Sequence, residues 1–230
     1  MLDNYPVNVF LGITSLLQIP PMKKNFLLLA SAVFLLSSCE QAQKAKESYS
    51  NLEKLSDASE GISASMDKAK EERAEREKRG DTLSLPYKEL QQYLPATVSD
   101  YTPGELKGQS QKMSGMAFST AERTYTKGPD EEIEVTLIDY NGSNALYQGA
   151  AAMMSLGIEQ EDDDHMMGPT AVKADGVKGM DTFYKKDGRA EMTLAVGGRF
   201  LLTLKAGKQK DMALLKSVAE DMDLEKLAKL

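Results

Sequence analysis

Apolar and polar residues alternate with a period of two along much of the second half of the chain. This repeat is typical of strands that bury one face against a core. Asp187-Gly188 and Gly197-Gly198 lie between the later repeats, and both dipeptides suit tight turns with positive φ. The pattern therefore predicts an antiparallel meander, because tight turns connect antiparallel neighbours. The predicted strands cover residues 117–125, 132–137, 180–185, 191–196 and 200–204.

Three other segments repeat their apolar residues at the three- and four-residue spacing of a helix. The first begins at Pro86 and ends before Pro95, the second follows Ser143, which can cap it, and the third lies near the C-terminus. Gly149 in the second helix would permit close approach to a sheet. Helices on one face of an antiparallel sheet of about five to seven strands would give a two-layer α+β domain. The apolar residues of the three segments are Tyr87, Leu90 and Leu94; Leu146, Ala150, Met153 and Met154; and Leu215, Val218 and Met222.

Residues 39–80 are rich in alanine, serine, glutamate and lysine and contain no proline. This composition predicts a charged helical spacer in front of a globular domain that spans residues 81–230. The narrow apolar stripe of the spacer ends near Lys70, so the charged turns that follow are expected to be solvated. A coiled coil between several copies is the alternative, although serines interrupt the stripe. The stripe consists of Ala45, Tyr49, Leu52, Leu55, Ile62, Met66 and Ala69.

Residues 22–38 have the order of features that a secretory signal peptide requires. Two lysines begin the segment, residues 26–36 form an apolar run with one serine, and two small serines end it. The run is about half of the roughly 20 residues that a membrane-spanning helix needs. We therefore expect export and cleavage rather than a permanent span.

Leu36-Ser37-Ser38-Cys39 resembles the lipobox of bacterial lipoproteins. The resemblance covers about the first forty residues and implies that a signal peptidase cleaves before Cys39 once this cysteine is diacylated. Several acyl chains, palmitate among them, would then anchor the mature protein to a membrane, whereas one chain binds only marginally. In enteric lipoproteins an aspartate after the cysteine resembles an inner-membrane retention signal. Here Glu40 takes that position, and the absence of aspartate leans toward the outer membrane, facing the periplasm. A conventional signal peptide with a chance cysteine is the alternative.

Residues 1–21 do not fit this scheme. They contain no lysine or arginine, include Asp3, and end in Pro20-Pro21 before a second methionine. We expect translation to start at Met22. A separate interfacial segment at residues 7–19 is the alternative, which the missing basic flank makes less attractive.

Charge and cysteine content exclude several classes of function. The chain carries 28 basic and 35 acidic residues, for a formal net charge of −7. Nucleic-acid binding needs lysines and arginines clustered on one face, so we expect no nucleic-acid partner. Because Cys39 is the only cysteine, neither an intramolecular disulfide nor a cysteine-based zinc cluster is possible.

His165, the only histidine, lies at the centre of the candidate metal ligands. Imidazole and thioether groups suit Cu(I), so one hypothesis is an envelope metal carrier that uses His165 with four methionines. Methionines that fill gaps in a core are the alternative. The acidic residues before His165 match no calcium-loop spacing, and no Gly-x-Ser-x-Gly elbow supports a hydrolase, which leaves a hydrolase of unrecognised type as a third hypothesis. The methionines are Met153, Met154, Met166 and Met167, and the acidic residues are Glu159, Glu161, Asp162, Asp163 and Asp164.

The order of predicted elements is loosely similar to the fold of the photosystem II extrinsic P protein and of related small bacterial lipoproteins. The similarity spans about two-thirds of the chain, includes no diagnostic motif and transfers no functional residue. Taken together, the sequence predicts a lipid-anchored envelope protein that binds or scaffolds, with no cofactor and no identifiable enzyme activity. Its partner would be an envelope protein or a small ligand, held at the sheet face or in a cleft beside the helix that follows Ser143.

Overall fold

The computed structural model describes residues 62–64, 66–113 and 116–230. The predicted signal peptide, the lipidation site Cys39 and most of the predicted spacer lie outside these residues, so their assignments stay predictions. Among the described residues, no helix is long and apolar enough to cross a membrane.

Eight strands in the described part of the chain form one open sheet. They are β1 Thr102–Met113, β2 Met116–Lys127, β3 Glu131–Asp139, β4 Gln160–Glu161, β5 His165–Pro169, β6 Val177–Tyr184, β7 Arg189–Val196 and β8 Phe200–Ala206. Their order across the sheet is β1-β2-β3-β8-β7-β6-β5-β4, and all neighbours pair antiparallel. The predicted α+β class is confirmed, but the predicted range of five to seven strands was too small.

The strands that the sequence did not predict lie at the edges of the sheet. β1 forms one edge and is almost entirely exposed, so no alternation of buried apolar residues marks it. β4 and β5 form the other edge and are only two and five residues long. Edge strands bury little side-chain surface, which is why a hydrophobic period does not reveal them.

Five helices are described. They are α1 at residues 62–64 and 66–78, α2 Tyr87–Leu90, α3 Asn144–Ser155, α4 Ala213–Asp221 and α5 Leu224–Ala228, and short 3-10 turns cover Gln91–Tyr93 and Asn141–Ser143. The three helical segments predicted in the globular part are therefore present. In the terminal segment, the chain straightens at Met222 and divides the helix into α4 and α5.

The main hydrophobic core lies on one face of the central strands. Val135 of β3, Leu204 of β8 and Met192 of β7 are register neighbours, and all three are fully buried. Leu215 of α4 and Leu227 of α5 belong to the same buried cluster. Burial of such side chains stabilises each by roughly 1.5–3 kcal/mol relative to exposure, so this face supplies most of the stability of the sheet.

A second helical layer covers part of the opposite face. Helix α3 contacts β6 and β7, and its Tyr147 shares a cavity with Lys178 and Ala195. Lys178 pairs with Ala195, and the neighbouring residue Leu194 is fully buried in the main core, so the side chains of Lys178 and Ala195 leave the sheet on the opposite face. The α+β arrangement of sheet and helices is as predicted, and α3 adds contacts on the second face of β6 and β7. Small Ala195 carried no signal that the end of β7 is buried on both sides.

Helix α3 turns a different side to the sheet from the one predicted. The Cβ of a residue at Gly149 would meet nothing within 4 Å, so this glycine does not permit close packing. Leu146 and Met153 are also exposed. The Ser143 hydroxyl donates to the carbonyl of Ala117, 2.9 Å away, and makes no capping hydrogen bond. The helix is therefore fixed at its start by a contact with β2.

Candidate functional site

Two cavities lie side by side along helix α3. The larger, of about 540 Å³, is bounded by the end of α3, by the connection from β5 to β6 and by Glu225 of α5. The smaller, of about 130 Å³, lies between α1, α3 and the sheet. Val177 and Lys178, at the start of β6, line both cavities. We call these two cavities together the α3 cleft.

Small residues allow the smaller cavity to form where three elements meet. Ala69 of α1, Ala151 of α3 and Ala195 of β7 line it. Gly198 adopts a φ of +64°, and a Cβ there would collide with the carboxylate of Glu72 on α1. A larger residue at these positions would push α1 or α3 away from the sheet, so the cleft depends on local sequence as much as on the fold.

Charges around the α3 cleft are balanced. Three lysines and three acidic residues line it, together with apolar side chains such as Met154 and Val172. The charged residues are Lys68, Lys173, Lys178, Glu72, Asp175 and Glu225. A ligand of one strong charge would meet groups of its own sign, so the cleft suits an occupant that carries apolar groups and both kinds of charge.

Tyr147 closes the smaller cavity from the α3 side. It is 4% exposed, and its burial raises the pKa of the phenol well above the ordinary value, while a hydrogen bond with the backbone of Gly198 opposes the shift. The hydroxyl therefore keeps its proton at physiological pH. Tyr147 offers a neutral, polar group beside the charged Lys68, Glu72 and Lys178 that also line this cavity.

No family model, no curated protein and no solved structure matches the chain. The similarity of element order to the photosystem II extrinsic P protein stays a prediction.

Arg76 attaches helix α1 to the end of the sheet beside the cleft. Arg76 is 3% exposed. It donates hydrogen bonds of 3.1 Å to Asn141 Oδ1 and to the carbonyls of Gly197 and Gly198. The prediction that the charged turns after Lys70 are solvated was therefore wrong for this residue. Its contacts fix the wall of the cleft that α1 provides.

A buried ion pair lies next to Arg76. The Arg199 guanidinium is 2% exposed and binds Asp139 at both oxygens, with Nε 2.9 Å from Oδ1 and Nη2 2.8 Å from Oδ2. Arg199 Nη1 also lies 2.8 Å from Asp81 Oδ2. Asn141 connects the two parts, because its Nδ2 donates to Asp81 Oδ1 at 2.8 Å. We call Arg76, Asp81, Asp139, Asn141 and Arg199 the arginine network.

The position of Asp139 in the sequence is a signal for the arginine network that the predictions above do not include. On β3, Ile133, Val135 and Leu137 point into the core, and Asp139 is the next residue on the same face and is also fully buried. A carboxylate on the buried face of a strand needs a charged or hydrogen-bonding partner. That partner, Arg199, lies 60 residues further along, and the spacing alone could not identify it.

The candidate metal ligands are distributed over different surfaces. Met154 lines the α3 cleft, whereas Met166 and Met167 line a separate cavity together with Met212. Met153 is 57% exposed on α3. Within the described residues, no group of three or more histidine, cysteine, aspartate or glutamate side chains could hold a metal ion. Copper binding through methionines stays a prediction.

The acidic run around His165 forms the turn between β4 and β5. Asp162 Oδ1 accepts hydrogen bonds from the backbone N–H groups of His165 and Asp164, which lower the pKa of this carboxyl group. His165 Nδ1 lies 3.1 Å from the same oxygen. Lys185 pairs with Glu161 at 2.9 Å. These contacts give the acidic residues a structural role in the hairpin.

Proposed function

We propose that this protein is a bacterial envelope lipoprotein, anchored through acyl chains on Cys39, that binds a segment of another envelope protein in the α3 cleft. The α3 cleft is the observation that carries the binding part. Its larger cavity of about 540 Å³ falls within the roughly 300–1,000 Å³ of ligand pockets. The lipobox-like order of residues 36–39 supports the anchor.

The lining of the cleft favours a protein segment as the occupant. Charges of both signs surround small apolar surfaces in the cleft. A peptide offers positive, negative and apolar side chains along one chain. The two cavities also follow α3 in sequence order, with Ala151 beside the smaller one and Met154 beside the larger one. An extended segment could therefore contact both. A small ligand with a single charge would use only part of this lining.

Helix α1 links the cleft to the anchor in the proposed function. Lys68, Ala69 and Glu72 of α1 line the smaller cavity, and the chain before them leads toward Cys39. An occupant would therefore contact both the sheet domain and the helix on its membrane-anchored side. We propose binding rather than catalysis, with the mature protein on the outer membrane facing the periplasm.

Replacing Cys39 by alanine should abolish acylation. We expect cells that express the variant to incorporate no radiolabelled palmitate into the protein, because the thiol that receives the lipid is gone. The wild-type protein and Ser38→Ala, which keeps a small residue before the cysteine, should both take up label and sediment with membranes. An unlabelled wild-type protein would contradict the anchor.

Photocrosslinking in living cells tests the cleft. A photoreactive amino acid in place of Lys173, on the rim of the larger cavity, should give a discrete crosslinked protein. The same group in place of Lys112, on the distant edge strand β1, serves as the matched control and should give none. Equal adducts at both positions, or none at residue 173, would mean that the cleft is not the binding surface.

A further inference from the structure

The connection between β5 and β6 forms one wall of the larger cavity in the α3 cleft. Thr170, Val172 and Lys173 of this connection line the cavity. Thr170 and Val172 are only 8% and 5% exposed, so the connection packs against the body of the domain. The contacts that hold the connection in place therefore also set the shape of the cleft.

The carboxyl group of Asp181 on β6 contacts the start of this connection. Its Oδ2 accepts a hydrogen bond of 3.4 Å from the backbone N–H of Ala171, and the Thr170 hydroxyl forms a further hydrogen bond with the carboxyl group. The same hydroxyl accepts a hydrogen bond of 3.3 Å from the backbone N–H of Val172. Asp181 is therefore linked, directly or through Thr170, to three consecutive residues of the connection.

This carboxyl group is poorly placed to carry a negative charge. Asp181 is the register partner of Met192, a fully buried core residue, so its side chain leaves the sheet on the core face. Its Oδ1 has less than 1 Å² of accessible surface and no hydrogen-bond partner, and no other side-chain nitrogen or oxygen atom of the described residues is in that state. Burial penalises a carboxylate far more than a neutral carboxyl group, so proton loss at Asp181 is costly in this conformation.

The charged groups around Asp181 do not compensate for its burial. Lys216 on α4 favours the carboxylate, but its side chain is 42% exposed and its Nζ lies 3.7 Å from Glu220 Oε1. Glu159 and Glu161, which share a cavity with Asp181, are acids themselves. The partners of Asp181 on β5 and β7 and its contacts in the connection are uncharged. Burial therefore prevails and raises the pKa of the Asp181 carboxyl group above its ordinary value.

We propose that Asp181 is a protonation switch that regulates the α3 cleft. The neutral carboxyl group holds the connection in place, and loss of its proton to water leaves a carboxylate that becomes hydrated when the connection moves away. A group whose pKa is raised by folding gives its full stabilisation below its ordinary pKa, and this contribution is lost as the pH rises through the raised pKa. The cleft wall is therefore held most tightly in acid. Binding in the cleft, which rests on the proposed function, weakens as the pH rises.

NMR of the purified full-length protein from about pH 4 to about pH 8 tests the switch. The Asp181 carboxyl resonance should titrate above the ordinary aspartate pKa of about 3.9. Protection of the Ala171 and Val172 amides against hydrogen exchange, corrected for the intrinsic effect of pH, should fall at least tenfold through the same midpoint, while Leu204 in β8 stays protected. Asp181→Asn cannot ionise, so its connection should stay protected at every pH. Asp163→Asn, at an exposed acid of the β4–β5 turn, is the matched control and should behave as the wild-type protein does.

Photocrosslinking from residue 173 extends the test to the cleft. In membranes isolated from the cells, the adduct should be at least threefold stronger at about pH 5 than at about pH 8, and a second variant that also carries Asp181→Asn should give equal adducts at both.

Three results would overturn the switch. They are an Asp181 carboxyl group that titrates at the ordinary pKa, amide protection that does not follow its titration, and an adduct at residue 173 whose yield is independent of pH or keeps its pH dependence in Asp181→Asn. Loss of the adduct at both pH values would instead contradict the proposed function. The carboxyl and amide titrations of the wild-type protein would still decide the switch, because they need no partner.

Discussion

Replacing Asp139 by alanine is expected to lower the free energy of unfolding by about 3–5 kcal/mol, because it leaves the buried Arg199 guanidinium without its main partner. Asp139 is fully buried and accepts four hydrogen bonds. Two come from Arg199, and the others come from the backbone N–H groups of Leu85 and Asn141 at 2.7 and 2.9 Å. The variant therefore loses the charge pair and also leaves backbone donors unpaired. Urea unfolding followed by circular dichroism measures the change.

An exposed ion pair with the same distance between its nitrogen and oxygen atoms provides the control. Asp100 lies 2.8 Å from Lys127, the same distance as between Asp139 and Arg199, but its side chain is 62% exposed. Exposed ion pairs contribute little to stability because water and salt screen them, so Asp100→Ala should have a small effect. If Asp139→Ala and Asp100→Ala lower the free energy of unfolding by similar amounts, then burial does not increase the contribution of the Asp139–Arg199 pair to stability.

A double variant separates the pair from its burial. Asp139→Leu with Arg199→Met removes both charges, and we expect it to be more stable than Asp139→Ala, because the unpaired Arg199 guanidinium is no longer in the core. Asp81 would lose its partner in this variant, but its side chain is 32% exposed and can be hydrated. A double variant less stable than Asp139→Ala would show that the network stabilises through its hydrogen bonds more than through charge pairing.

The central strands could be predicted because each buries one face only along most of its length. Alternating residues of β3 and β8 marked them clearly, and Asp187-Gly188 and Gly197-Gly198 located the turns on either side of β7. The same logic fails for β1, which is exposed on nearly all of its residues. It also fails at the end of β7, where Ala195 is buried but too small to signal a second layer.

The sequence offered the sheet face or a cleft beside the helix after Ser143 as the binding surface, but it did not predict the residues that line the α3 cleft. The α3 cleft lies beside the helix after Ser143, but α1 was expected to be solvated beyond Lys70, whereas Glu72 lines the cleft and Arg76 is buried. Arg76 forms its hydrogen bonds with residues 65 to 122 positions away. No local pattern encodes such partners, because they depend on which strand ends the sheet brings together.

The last expected effect concerns the turn that both α1 and α5 contact. Gly197 has a φ of +59°, and a Cβ there would lie 2.5 Å from the carbonyl oxygen of Ala228 and 2.7 Å from its Cα. Gly197→Ala combines a left-handed alanine, at about 1–2 kcal/mol, with overpacking against the backbone of α5, typically 1–3 kcal/mol. We therefore expect a loss of about 3 kcal/mol in the free energy of unfolding, measured by urea denaturation.

Gly128→Ala isolates the backbone part of this effect. Gly128 has a similar φ of +65°, in the turn between β2 and β3, but a Cβ there would meet nothing within 4 Å. Its replacement should therefore lower stability by only about 1–2 kcal/mol. Hydrogen exchange should also become faster for the α5 amides in Gly197→Ala alone, because relief of the collision moves α5 and exposes Leu227, which is now 1% exposed. Gly197→Ala and Gly128→Ala could instead lose equal free energies of unfolding, with equal hydrogen exchange in α5. The packing of α5 on this turn would then contribute little to stability.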